Sequence, residues 1–262
     1  MAQNRAEGGR GKTSRVVTSS KSSSKKGFYL MIGLVSIAGV AALSYLSGRS
    51  NAGAPVVLDP SLPAVVSQGY VMGSPTASIE LVEFGDFECP GCEKFAELTE
   101  PDLRAQYVNT GKIRFRFIDF PLVNIHRNTL NASIAAACAD EQGQFWAMHD
   151  MLYNKQPDWN GEATNNPDKV IKSFAHTIAG LNASKFDGCL DTRKTLSKVQ
   201  SHMKLAEERK VGQTPTFAIG MTQFTLDQGG IDEFKKRLDP LLAAADSPQA
   251  SMKGSGKTTK QP

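Results

Sequence analysis

Residues 81–95 read LVEFGDFECPGCEKF, an apolar run holding one acid, Glu83, followed by two cysteines separated by Pro90-Gly91. SIELVEF (78–84) is apolar on both faces, which predicts a central strand of an α/β sheet. A helix is predicted over 90–108, kinked at Pro101. Cysteines two residues apart bring their sulfurs together when the second lies in the first turn of a helix. Cys89 then sits at the helix N-terminus, where unpaired N–H groups and the positive dipole end favour thiolate over thiol. Pro90 suits the first helical position because it has no N–H to leave unpaired there. Thiols in this setting ionise at about 3.5–7.5 rather than about 8.5. Cys89 is therefore the expected nucleophile, and Cys92 the thiol that resolves a mixed disulfide.

Zinc is the rival use of a CxxC pair. A structural zinc site needs four ligands, usually as two close pairs. The remaining cysteines, Cys138 and Cys189, are far apart in the chain, and His126, His149, His176 and His202 are scattered. No metal and no cofactor are expected. His126 follows the second predicted strand and reads as an ordinary histidine or one near the reactive face. Phe145, Trp146, Met148 and Tyr153 read as core.

Upstream, residues 27–48 (GFYLMIGLVSIAGVAALSYLSG) hold no charged residue in 22 positions. About 20 apolar residues suffice to cross a bilayer, whereas a cleavable signal has a core of roughly 7–15. The run predicts a transmembrane signal-anchor over 28–48. Ala52-Gly53-Ala54 resembles a cleavage site, but Pro55 directly after it disfavours processing. The basic segment before the span places the N-terminus in the cytoplasm and the rest of the chain outside it, in the periplasm or its equivalent. Residues 1–26 and 247–262 carry most of the excess Lys and Arg. Without them the +4 net charge of the chain becomes negative over 50–246. The basic isoelectric point therefore belongs to the tails, and no nucleic-acid partner is expected.

The chain then divides into a disordered basic tail (1–26), the anchor (28–48), a linker (49–75), a folded domain (76–246) and a polar, disordered tail (247–262). Inside the folded part, IRFRFIDF (113–120) alternates and predicts a second strand. Helical stretches fill about 123–210. Strands return at TPTFAIG (214–220) and MTQFTLDQ (221–228), before a closing helix, IDEFKKRLDPLLAAA. A small α/β core with a helical insertion between its halves is the economical architecture.

With strand, CPGC and helix in place, the chain resembles the DsbA-like thiol–disulfide oxidoreductases of the thioredoxin superfamily. Three features carry the resemblance: VEFGDFECPGC; VGQTPTF (211–217), similar to the family's Thr-Pro loop; and the helical block containing ADEQGQFWAMHDMLYN (139–154). Gln213 departs from the glycine often found before Thr-Pro. The resemblance implies a thioredoxin-like α/β fold and a cis Pro215 facing the cysteines. It also implies that Thr214 pairs with substrate backbone beside Pro90 and Gly91, and that Cys138 and Cys189 form a structural disulfide. Glu83 stands six residues before Cys89, where such proteins carry an acid beneath the redox pair. The strand's period of two puts it on the face of Ile79 and Leu81, where a buried carboxyl is suited to accept and return the proton of Cys92.

The implied substrates are cysteine-containing exported proteins. The implied partner is a membrane protein of the DsbB or vitamin-K-epoxide-reductase type that reoxidises the pair. Oxidase, reductase and isomerase directions stay open on these residues, as does a non-catalytic peptide-binding role. Pro-Gly supplies no imidazole or charge to the thiolate, which argues against the most oxidising extreme.

Overall fold

The computed structural model describes residues 29, 31–36, 39, 55–59, 68–226 and 230–245. The chain divides into two units, Met1–Arg49 and Ser50–Pro262, of which the second holds the sheet. In the first, residues 31–36 are helical. Among the described residues no helix is long and apolar enough to cross a membrane. Most of the anchor expected at 28–48, and the tails expected to be disordered at 1–26 and 247–262, lie outside the described residues.

In the second unit, six strands form one sheet in the order β1-β6-β5-β3-β4-β2. They are β1 (Val56–Val57), β2 (Tyr70–Gly73), β3 (Ile79–Gly85), β4 (Ile113–Asp119), β5 (Thr216–Ile219) and β6 (Thr222–Phe224). β3 and β4 run parallel, with Glu83 opposite Phe117, and β5 runs antiparallel on the other side of β3 with Phe217 opposite Glu83. Both faces of β3 are covered by packed side chains, which is why Ile79–Gly85 is apolar except at Glu80, paired with Arg114 and Arg116, and at Glu83. Ile79 and Leu81 pack on one face with Phe95, Leu103, Phe115, Phe217 and Phe234. Val82 and Phe84 pack on the other with Ile118, Leu205, Ala206 and Ala218.

The helix expected over 90–108 is three pieces: α1 (Pro90–Leu98), α2 (Glu100–Leu103) and a π-helical turn (Arg104–Val108). The break falls at Thr99, two residues before Pro101, whose missing N–H cannot continue the ladder. The insertion holds α3 (Thr129–Asp140), α4 (Phe145–Asn154), α5 (Gln156–Trp159), α6 (Pro167–Ala175), α7 (Ala183–Asp191) and α8 (Leu196–Glu208). These helices share a core built on Ala135, Ala139, Met148, Leu152, Trp159 and Ile171. A final helix, α9 (Ile231–Ala245), brings Phe234 and Leu238 to the sheet.

The stretch 49–75 departs from a plain linker. Val56 and Val57 pair with Gln223 and Thr222, and Tyr70–Gly73 forms an edge strand against Phe117–Arg114. Tyr70 stacks on Phe145 at 3.6 Å between ring centroids, and its hydroxyl donates to Asp119 at 3.0 Å. His202 bonds the same Asp119 carboxylate at 2.8 Å through Nδ1 and accepts from the Gly69 N–H at 3.1 Å through Nε2. None of these partners is near in sequence, so a short Gly-rich stretch became a strand through its tertiary neighbours. The strand expected over 221–228 is shorter than that, ending at Phe224.

Candidate active site

Cys89 caps α1 from outside in an extended conformation, and Pro90 occupies the first turn. Cys92, one turn into the helix, is fully buried, while Cys89 is 8% exposed and rimmed by the exposed Pro90 and Gly91. Both are free thiols. The thiol of Cys92 donates to the sulfur of Cys89, and the N–H groups of Gly91 and Cys92 point at it; against the opposing effect of burial, these bonds lower the pKa of Cys89 to about 6. Burial pushes Cys92 the other way, well above the ordinary thiol value, reinforced by its bond to Cys89 and by the charges of Cys89 and Glu83. The two sulfurs are thus divided into a poised thiolate and a protonated reserve.

The Thr214–Pro215 peptide is cis and lies across from α1. The Cys89 sulfur is 3.3 Å from the Thr214 carbonyl oxygen, and the Thr214 hydroxyl favours the thiolate. Gly91 faces this loop closely: a Cβ there would stand 3.1 Å from Pro215 Cδ, 3.6 Å from Cys89 Sγ and 3.8 Å from the Thr214 oxygen. A Gly91→Val substitution will therefore crowd the approach to Cys89. Overpacking of this kind costs about 1–3 kcal/mol, so transfer to a peptide dithiol should slow roughly tenfold. Stopped-flow comparison with a small thiol checks this: an equal effect on both would mean that the loop, not the substrate path, had been disturbed.

Glu83 sits beneath the pair, fully buried on the face of Leu81, and neither carboxyl oxygen has a hydrogen-bond partner among the described residues. Burial raises its pKa well above the ordinary value, and the charges of Glu100 and Cys89 raise it further. A carboxyl in that condition holds a proton and is suited to exchange it with Cys92.

Asp86, three residues before Cys89, was not legible as a site residue. Its N–H donates to the Cys92 sulfur at 3.5 Å. Its carboxylate accepts from the Glu88 and Leu122 N–H groups, each at 2.8 Å, and from the Thr129 hydroxyl, and bonds His126 Nδ1 at 2.7 Å. It therefore fixes the loop 120–129 against the CPGC turn, and this loop presents Val123 and Ile125 exposed beside the site. His126 is thereby placed as a partner of Asp86. Glu88 anchors the same region to the insertion, accepting from Asn128 N–H at 2.6 Å and Gly161 N–H at 2.5 Å. The signal available was local: an acid between a strand and CPGC, with its side chain bonding the N–H two residues on. Cys138 and Cys189 are disulfide-bonded, joining α3 to α7 within the insertion. Among the described residues no group of His, Cys, Asp and Glu could hold a metal ion.

The thioredoxin family model matches residues 66–240. A probable disulfide bond formation protein D of Bacillus anthracis is 25% identical over 171 residues, 65% of this chain and 77% of that protein. An Na(+)/H(+) antiporter NhaA 3 of Salinispora tropica is 29% identical over 163 residues, but the match spans 23% of that protein. Among solved structures, oxidised BdbD from Bacillus subtilis superposes with a TM-score of 0.61 at 23% identity, covering 70% of this chain and 96% of that one. Wolbachia pipientis alpha-DsbA1 gives 0.60 at 22% identity, covering 71% and 95%. The two structures share the sheet with its helical insertion. With that fold, a divided CPGC pair at the head of α1 and a cis-proline loop against it, the chain belongs to the thioredoxin family and is a DsbA-like thiol–disulfide oxidoreductase.

Proposed function

We propose that the protein donates the Cys89–Cys92 disulfide to cysteine pairs of exported proteins, working from the outer side of a membrane to which residues 28–48 anchor it. The observation that carries the direction is the stabilised Cys89 thiolate beside a protonated Cys92. With a pKa of about 6, roughly nine in ten Cys89 side chains are thiolate at pH 7. Whatever stabilises the reduced pair makes its disulfide easier to give away.

A substrate thiolate attacks Cys89 Sγ, the S–S bond breaks, and Cys92 leaves with the electron pair. Glu83 supplies the proton that Cys92 then holds. A second substrate thiolate attacks the substrate sulfur of the mixed disulfide and expels Cys89, which departs as the stabilised thiolate. The substrate has lost two electrons and the pair has gained them. Thr214 and Gly91 line the approach, and the exposed Val123 and Ile125 suit unfolded segments with apolar flanks. A membrane partner of the DsbB or vitamin-K-epoxide-reductase type removes the electrons again.

Equilibration of the full-length protein against glutathione buffers tests the direction. Potentials in this fold run from about −270 mV for thioredoxin to about −120 mV for DsbA. A value between about −120 and −180 mV is expected for a disulfide donor, and one near −250 mV or lower would reverse the reading to a reductant.

A further inference from the structure

The cis-proline loop has more than one face in use. Pro215 meets Gly91 of the CPGC turn. Gly212 and Gln213, just before Thr214, are exposed and border an open cavity of about 140 Å3 that no CPGC residue lines.

The sheet register builds the walls of this cavity. Thr216 stands opposite Phe84 and Ala218 opposite Val82. Gln223 stands opposite Ala218, and Val56 opposite Gln223. Residues paired across strands share a face, as do residues two apart on one strand. Thr216, Gln223 and Val56 therefore all lie on the Val82 and Phe84 side of the sheet, and there they line the cavity with Val211.

Among the described residues no charged side chain lines the cavity. The Thr216 hydroxyl is engaged, donating to the Gln213 carbonyl at 2.7 Å, and the Gln223 amide donates to the Arg209 carbonyl at 3.2 Å. The Thr225 hydroxyl oxygen, also in the lining, is buried and has no hydrogen-bond partner among the described residues. An occupant thus meets chiefly the carbon of Val56, which is 57% exposed, and of Val211. Apolar carbon gains by leaving water for such a site, whereas a charge would lose its hydration without a partner. The volume holds one aliphatic side chain and is too small for a whole drug-sized ligand.

Position decides whose side chain this is. The Cys89 sulfur is 3.3 Å from the Thr214 carbonyl oxygen, so a peptide joined to Cys89 lies against Thr214. Consecutive Cα atoms are about 3.8 Å apart, which puts Gln213 about 4 Å and Gly212 at most about 7 Å from Thr214. An extended peptide advances about 3.3 Å per residue. A side chain one or two positions from the reacting cysteine therefore comes over Gln213.

We propose that this cavity is a specificity subsite, in which Val56 and Gln213 select substrates carrying an aliphatic side chain, valine to leucine in size, one or two positions from the reacting cysteine. The inference rests on the reading of Cys89–Cys92 as a disulfide donor to peptide segments.

Transfer from the oxidised full-length protein to dithiol peptides tests it, with glycine, leucine or phenylalanine at each of the two positions on either side of the attacking cysteine. At one of these positions the leucine peptide should react about tenfold faster than the glycine peptide. Val56→Trp, which fills the cavity, should bring that ratio to about one. Val56→Ala, which widens it, should move the preference to phenylalanine. Gln213→Gly removes an exposed wall without touching the sheet and should lower the leucine preference about threefold. The ionisation midpoint of Cys89, read from thiolate absorbance, should stay near about 6 in all three. A wild-type ratio near one at every position, or a leucine preference that all three variants keep, would overturn the subsite and leave the donor reading standing. A wild-type protein that transfers no disulfide to any peptide would overturn both.

Discussion

Cys89→Ser will abolish disulfide transfer, whereas Cys92→Ser will accumulate a mixed disulfide with substrate through Cys89. The asymmetry follows from burial: Cys89 reaches the rim between Gly91 and Thr214, and Cys92 reaches nothing but Cys89, Asp86 and the interior. Serine at 89 removes the sulfur that is attacked, and no second exposed thiol replaces it among the described residues. Serine at 92 removes only the resolving thiol: offered a disulfide-bonded peptide, the Cys89 thiolate attacks one sulfur and expels the other as a thiolate, and the adduct persists and can be counted by non-reducing electrophoresis. Equal trapping by both variants would sink the assignment of roles.

The pH dependence has a definite sign. The pKa of Cys89 in the folded, reduced protein is about 6, below that of an unfolded thiol. Its contribution to stability is therefore fully present above the unfolded thiol value of about 8.5 and is lost as pH falls through the folded one. Cys92 is shifted upward and stays protonated across that window. The stability of the reduced form relative to the oxidised form should accordingly rise from about pH 6 to about pH 8.5. Denaturant titrations of the two forms read it directly, and a difference that is flat or falls with pH would contradict the thiolate assignment.

Removal of the second disulfide will lower stability without touching the redox pair. Cys138 and Cys189 are separated by 51 positions. Closing a loop of that length restricts the unfolded chain by about 4 kcal/mol in the chain-entropy model. Both sulfurs are buried, at 1% and 5% exposure, between helices that hold the insertion core. Alanine at both positions leaves no unsatisfied polar group, so the expected loss is about 4 kcal/mol, or about 8–16 °C in Tm for a domain of this size. The potential of Cys89–Cys92 should not change. A shift in Tm of less than about 3 °C would mean that the denatured chain is already compact around this loop.

Several parts of the site were legible because their chemistry is local. CPGC at a strand-to-helix junction states a reactive pair, because Cys89, Pro90 and Cys92 lie within one helical turn. The strand period placed Glu83 on the buried face of Ile79 and Leu81, where it lies. Thr214-Pro215 and the Cys138–Cys189 pairing came through the family resemblance rather than through any periodicity. The edge strands were not legible. Val56–Val57 is exposed, and Tyr70–Gly73 depends on Phe145, Asp119 and His202 for its place. Helix ends at 141–144 and 192–195 were missed as well, where Gly143 and Arg193 take positive φ. The ADEQGQFW and DTRKTL stretches read as helical, and backbone turns decided otherwise.

The sequence by itself determined the reactive chemistry, the central strands and the helical insertion, since each is written in residues a few positions apart. Only the tertiary structure decided the environment of that chemistry. Asp86 reaches Thr129 and His126 across about forty residues, and Glu100 faces a histidine nearly fifty residues on. A carboxyl is a solvated surface group or a buried proton holder according to which elements close over it, and no local pattern of residues records that closure.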